Sequence, residues 1–160
     1  RRTKKEYIMT KPLTTLEEFQ NHGREIAKVS YDDAGFVFEN LIKTTDVGVY
    51  AFVSNNTKIE KVGMASGAQG MHQRLTGYRN KGLKVAKGTA DRTELLWHSA
   101  MSGKLKGQSL KLYFIPVAPI KETMPSGRVV TFSPVRDYEK VLSEQARSEN
   151  QPMRLAGKGN

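Results

Sequence analysis

Apolar positions along the chain switch between a helical spacing and short β-branched runs, and the switches outline the elements. Thr15-Leu16-Glu17-Glu18 has the capping-box pattern, in which Thr15 and Glu18 satisfy each other's free backbone donors. Leu16, Phe19 and Ile26 follow at helical spacing and predict a helix to about Val29, broken by Asp32 to Gly35. Val47 to Val53 is β-branched and aromatic, the composition of a buried strand. Ser54-Asn55-Asn56-Thr57 has turn chemistry, and Ile59 to Met64 returns as the second strand of a hairpin. A short helix is expected around Met71, Arg74, Leu75 and Tyr78, then a basic loop from Asn80 to Ala90. Asp91 or Thr93 caps the next helix, through Leu95, Leu96, Trp97 and Met101, which Gly103 stops. Ser109 to Val117 reads as a third strand and Pro119 to Gly127 as a loop. Ser133-Pro134 opens a last helix, with Val135, Tyr138, Val141 and Leu142 inward, fading near Asn150.

The expected fold is therefore α/β in the α+β sense: a small antiparallel three-stranded sheet flanked by helices. Residues 1–46 form an N-terminal extension with one helix, and residues 47–160 form the main domain. At 160 residues, with 38% hydrophobic and 26% charged side chains, the chain suits a compact folded unit. It has no apolar run of the ~20 residues that a membrane helix needs, and no charged-then-apolar leader is visible. It has no cysteine, which excludes disulfides and thiolate zinc sites, and His22, His72 and His98 are too scattered for a zinc cluster. An intracellular setting is expected, the cytoplasm of a bacterium or a phage-infected host.

Charge changes the picture more. The net charge is +10, and it is unevenly distributed. Residues 1–46 are balanced, whereas Met71 to Lys111 holds nine basic side chains against Asp91 and Glu94. A basic block inside a folded domain suits a polyanion, because each neutralised phosphate releases counterions. Arg79, Lys81, Lys84, Lys87 and Arg92 are the expected contacts to a nucleic-acid backbone, the alternative being a solvated surface.

An ordered constellation then supplies candidate chemistry. Gly48-Val49-Tyr50 lies on the first strand of the hairpin and Lys61-Val62-Gly63 on the second. Arg74 is followed four residues later by Tyr78 on the next helix, and Val141-Leu-Ser-Glu-Gln145 lies on the last. Singly, Tyr50 and Tyr78 read as packing residues, and Arg74 and Glu144 as a solvated surface. Together, in this order, they resemble the GIY-YIG nucleases over about Val47 to Pro152, and most of all the phage endonuclease II-like and restriction-type members.

That resemblance implies a DNA endonuclease using Mg²⁺ or Mn²⁺, with Tyr50, Lys61, Arg74, Tyr78 and Glu144 at its site. Tyr50 would help activate water, although a free phenol titrates at about pH 10 and nearby positive charge would have to lower that value. Arg74 would stabilise charge growing on the phosphate, and Glu144 would hold the metal largely through water and substrate oxygens. Periodicity does not choose between Glu139 and Glu144, since both border the apolar stripe; local resemblance favours Glu144. Lys61 stands where the family usually has Tyr, and the family's late Asn has no match in register, Asn150 included. A silent nucleic-acid-binding protein on the same scaffold is the alternative. Cutting both strands implies a homodimer or two sequential nicks.

Overall fold

The computed structural model describes residues 12–32, 35–89, 91–150 and 152–156, with the side chains of all of these except 81–86 and 93. Among these residues four helices and seven strands follow one another: α1 (Thr15–His22), β1 (Arg24–Asp32), β2 (Gly35–Glu39), β3 (Gly48–Ser54), β4 (Lys58–Ala65), α2 (Gly70–Ala86), α3 (Arg92–Ser102), β5 (Leu110–Pro116), β6 (Ile120–Thr123), β7 (Val129–Phe132) and α4 (Val135–Glu149). The main sheet is antiparallel throughout, in the order β2-β1-β5-β3-β4, and β6 and β7 form a separate hairpin.

The α/β class and the three strands read from the sequence are present, but the sheet has five strands rather than three. The two others come from residues 24–39, part of the segment expected to hold only a helix. Gly23 stops α1, its N–H bonding Phe19 O at 3.0 Å, and the chain turns into a strand. Both Ile26 and Ala27 are buried because a bulge between Glu25 and Ala27 shifts the register, which obscures the period-2 signature. The capping box lies one residue earlier than expected, on Thr14 and Glu17. Glu18 instead accepts a hydrogen bond from the Tyr138 hydroxyl at 2.6 Å, tying α1 to α4.

Two further differences concern the region expected as loops. α2 continues to Ala86, because Lys, Leu and Ala favour helix enough to carry Gly82, and Gly88 at φ +73° follows its end. The Pro119–Gly127 loop is instead a hairpin, closed by Met124 N–H to Arg128 O at 2.7 Å with Gly127 at φ +88°. Asp91, not Thr93, caps α3, sharing a capping box with Glu94.

The sheet divides two cores. Tyr50 and Phe52 pack on one face with Met71, Leu75 and Tyr78 of α2 and Trp97 of α3. Val49, Ala51 and Val53 pack on the other with Phe19 of α1 and Val135, Leu142 and Ala146 of α4. Val141, expected inward, is exposed.

Beyond α4 the chain returns along the edge strand β4. Ile59 N–H donates to Asn150 Oδ1 at 3.0 Å, Leu155 N–H to Glu60 O at 3.1 Å, and Trp97 Nε1–H to Leu155 O at 2.6 Å. The fully buried Glu60 carboxylate accepts from Ser54 Oγ at 2.6 Å and is paired with Arg154. Burial pushes its pKa up, but Arg154 and Ser54 outweigh that and hold it below the usual carboxylate range. No described helix is long and apolar enough to cross a membrane.

Candidate active site

The hairpin sets the site's floor. Tyr50 pairs with Gly63 and Phe52 with Lys61, and directly opposed residues project to the same face. A Cβ at position 63 would run into the Tyr50 ring and hydroxyl, so only glycine leaves room for the phenol there. A Cβ at position 48 would likewise meet the Ile115 carbonyl oxygen and the Phe114 ring. Both tripeptides thus owe their glycines to close approach.

Tyr50 and Tyr78 meet on that floor, their hydroxyls 2.7 Å apart. Tyr78 stacks on Trp97, with ring centroids 4.4 Å apart and planes at 18°. Lys61, only 8% exposed, lies with Nζ 5.5 Å from the Trp97 ring centroid. Trp97 was read from the sequence only as an apolar helix position. No local signal reveals that it backs the tyrosine pair, because that contact joins distant segments.

Arg74 lies one helical turn before Tyr78 but at the surface. Its Nε donates to Met64 O at 3.2 Å, which turns the guanidinium along the end of β4. It lines a cleft of about 320 Å³ with Ala65, Ser66, Gly67, Gly70, Gln73 and Gly77. The cleft lies at the start of α2, where free N–H groups could hold an anion. Here they are used: Met71 N–H bonds Asp46 O at 3.0 Å, and His72 N–H bonds Thr44 O at 2.9 Å. Gly70, at φ +53°, lets this loop close over the helix, since a Cβ would strike the carbonyls of Thr45 and Asp46. Binding of an anion in the cleft therefore falls chiefly to Arg74.

Burial pushes the Tyr50 pKa up to about 12; the hydrogen bond with Tyr78 and the charge of Arg74 work against this, and Glu139 adds to it. Tyr78 is raised well above its ordinary value, by burial first and then by Tyr50, with Arg74 again opposing. Positive charge does face the pair, as the chemistry required, but desolvation outweighs it. Tyr50 is a neutral phenol at neutral pH, contrary to the lowered value expected. It is also 2% exposed and does not line the cleft.

The same interactions bear on the acidic candidates. Glu139, on α4, is half-buried, accepts from Ser143 Oγ at 2.9 Å and lies near enough for its charge to reach Tyr50. Glu144 is five residues on, about 140° round the helix, and exposed. No group of three or more His, Asp or Glu side chains that could cage a metal occurs among the described residues. A lone carboxylate suits a hard cation that keeps most of its waters, as Mg²⁺ does.

Of the basic residues expected on DNA, Arg79, Lys87 and Arg92 are exposed, Arg79 lying 5.8 Å from the Phe38 ring centroid. The side chains of Lys81 and Lys84 lie outside the described residues.

The class that fold and site define is a mixed α/β domain, its antiparallel sheet carrying a tyrosine pair beside an arginine-lined cleft. Among solved structures, a mutant of bacteriophage T4 EndoII aligns with a TM-score of 0.58 and 17% identity, covering 82% of this chain and 94% of that one. Restriction endonuclease HPY188I in complex with product DNA aligns with a TM-score of 0.49 and 17% identity, covering 93% and 92%. The chain shares the EndoII fold, in agreement with the motif order read from the sequence. No protein-family model matches the chain, and no curated protein does.

Proposed function

We propose that the chain is a divalent-metal-dependent DNA endonuclease of the GIY-YIG type. The observation that carries this reading is the meeting of Tyr50, from β3, with Tyr78 of α2, one turn along that helix from the cleft-lining Arg74. The fold shared with EndoII supports it.

In this reading Arg74 grips the scissile phosphate and neutralises charge that grows as the phosphorus becomes five-coordinate. Its Met64 hydrogen bond orients the fork before substrate arrives. Tyr78 fixes the Tyr50 hydroxyl, and Tyr50, neutral, orients the attacking water by hydrogen bonding rather than by holding a phenolate. Lys61 holds a cation 5.5 Å from the centroid of the Trp97 ring on which Tyr78 stacks. Glu139, half-buried on α4 and near enough for its charge to reach Tyr50, would hold the metal, and Glu144, which the local resemblance favours, is the second candidate. When bound, Mg²⁺ or Mn²⁺ polarises the phosphate and steadies the departing oxygen. Arg79, Lys81, Lys84, Lys87 and Arg92 hold the flanking backbone.

One observation favours a second reading, a nucleic-acid-binding protein that does not cut. The Tyr50 hydroxyl is buried against Tyr78, so a small opening of the cleft must precede catalysis. Incubating supercoiled plasmid with the protein in Mg²⁺ or EDTA separates the two. The nuclease reading predicts nicking in Mg²⁺ alone, reduced about 100-fold or more in Arg74→Ala. Salt-sensitive binding without nicking would establish the second reading.

A further inference from the structure

α2 carries a glycine that nothing within the protein calls for. Gly77 lies inside the helix, between Arg74 and the buried Tyr78, and lines the Arg74 cleft. A glycine there weakens the folding equilibrium by about fivefold relative to alanine, since more chain freedom is lost on ordering it.

Other glycines around the cleft and hairpin have an internal reason. A Cβ at position 63 would meet the Tyr50 phenol, one at 67 the Gln73 amide, and one at 70 the carbonyls of Thr45 and Asp46. A Cβ at position 77 would meet, beyond its own stretch of helix, no described atom within 4 Å. Its backbone is ordinary right-handed helix, so no positive φ demands glycine either.

The open space has a definite position. Gly70, Gln73, Arg74 and Gly77 follow at the i, i+3, i+4, i+7 spacing of one helical face, and all four line the cleft. Arg74 is the one cation among the lining residues, and its bond to Met64 O fixes where an anion is held. Gly77 is three residues on, about 4.5 Å along the helix axis. A phosphodiester held by Arg74 carries a sugar on each ester oxygen, within that reach of the phosphorus. Bare helix backbone at Gly77 lets such a sugar approach where any Cβ would stand in its way.

We infer that Gly77 is a clearance residue of the substrate cleft. Its missing side chain makes room for the deoxyribose that adjoins the phosphate held by Arg74, given that the cleft is the DNA site of the nuclease reading. A glycine that had merely drifted onto an exposed helix would be improved by any good helix former, with no loss of function.

Gly77→Ala and Gly77→Leu, compared with Thr76→Leu, separate the two. Thr76 is exposed at the neighbouring position of α2 and does not line the cleft. Both Gly77 variants should raise the urea midpoint, because both residues favour helix more than glycine does. Single-turnover nicking of supercoiled plasmid in Mg²⁺ should nevertheless slow, about 10-fold in Gly77→Ala and about 100-fold in Gly77→Leu. Thr76→Leu should nick at the wild-type rate. Binding of a short labelled duplex in EDTA gives a second readout. Gly77→Leu removes no cation, so its affinity should fall about 10-fold at every salt concentration, whereas Arg74→Ala should also flatten the salt slope.

A stabilised Gly77→Leu that nicks and binds like wild type would overturn the inference. So would an equal loss of nicking in Thr76→Leu, or a lowered midpoint in Gly77→Ala, which would mean that the protein itself packs the position. A wild type that binds DNA without nicking would remove the nuclease reading alone, and the binding comparison would then decide the role of Gly77. A wild type that does neither would remove both.

Discussion

Gly63 is the residue on which the tyrosine geometry turns. Its missing side chain is filled by the Tyr50 phenol, so Gly63→Ala forces the ring out or bends the hairpin. Overpacking of this kind costs about 1–3 kcal/mol, readable as a lowered urea midpoint. An unchanged midpoint would mean that the ring does not occupy that space. Tyr50 also makes an alkaline prediction. Its folded pKa, about 12, is raised above the ordinary 10.0, so the neutral phenol is favoured by folding. That stability is fully present below pH 10 and is lost as pH rises toward 12. Tyr50→Phe should flatten this alkaline loss in a melting series, and an equally steep loss in the variant would place its origin elsewhere. The tyrosines, Arg74 and Lys61 stood out as candidates because their order along the chain is itself a pattern. Their protonation was not, because desolvation depends on what closes over them.

At the level of elements, the chain's end is bolted to the sheet's exposed edge. Asn150 and the Glu60–Arg154 pair occupy the free side of β4, which would otherwise invite pairing with another strand. Removing Arg154 leaves a buried carboxylate without its counter-charge. Arg154→Ala should therefore lose about 3 kcal/mol, measured by chemical denaturation. The Glu60 pKa is lowered in the folded state, so this contribution is present at neutral pH and lost as pH falls below 4.5 through the folded value. The wild type should lose stability across that acid range and Arg154→Ala much less of it; equal acid sensitivity would sink the assignment. Strands marked by β-branched, aromatic or alternating apolar residues were readable from the sequence, namely β3, β4 and β5. β1 was hidden by its bulge and by Leu16, Phe19 and Ile26 falling at helical spacing. β6–β7 was hidden by Pro119, Pro125 and Gly127, which mark a turn without saying that strands flank it.

For the molecule as a whole, the account requires that α2, the hairpin and α4 deliver an arginine, a tyrosine pair and a carboxylate to one place. Sequence order supplied the candidates for these contributions, and it left the carboxylate open between Glu139 and Glu144. Glu139 and Glu144 border the same apolar stripe; Glu139 is half-buried and its charge reaches Tyr50, whereas Glu144 is exposed. The most direct test is the single-turnover cleavage rate of a plasmid across a Mg²⁺ titration, comparing wild type, Glu139→Gln and Glu144→Gln. The account predicts metal-dependent cutting by wild type and by Glu144→Gln, with Glu139→Gln slower by about 100-fold or more. Cutting by Glu139→Gln at the wild-type rate and with the wild-type metal dependence would contradict it.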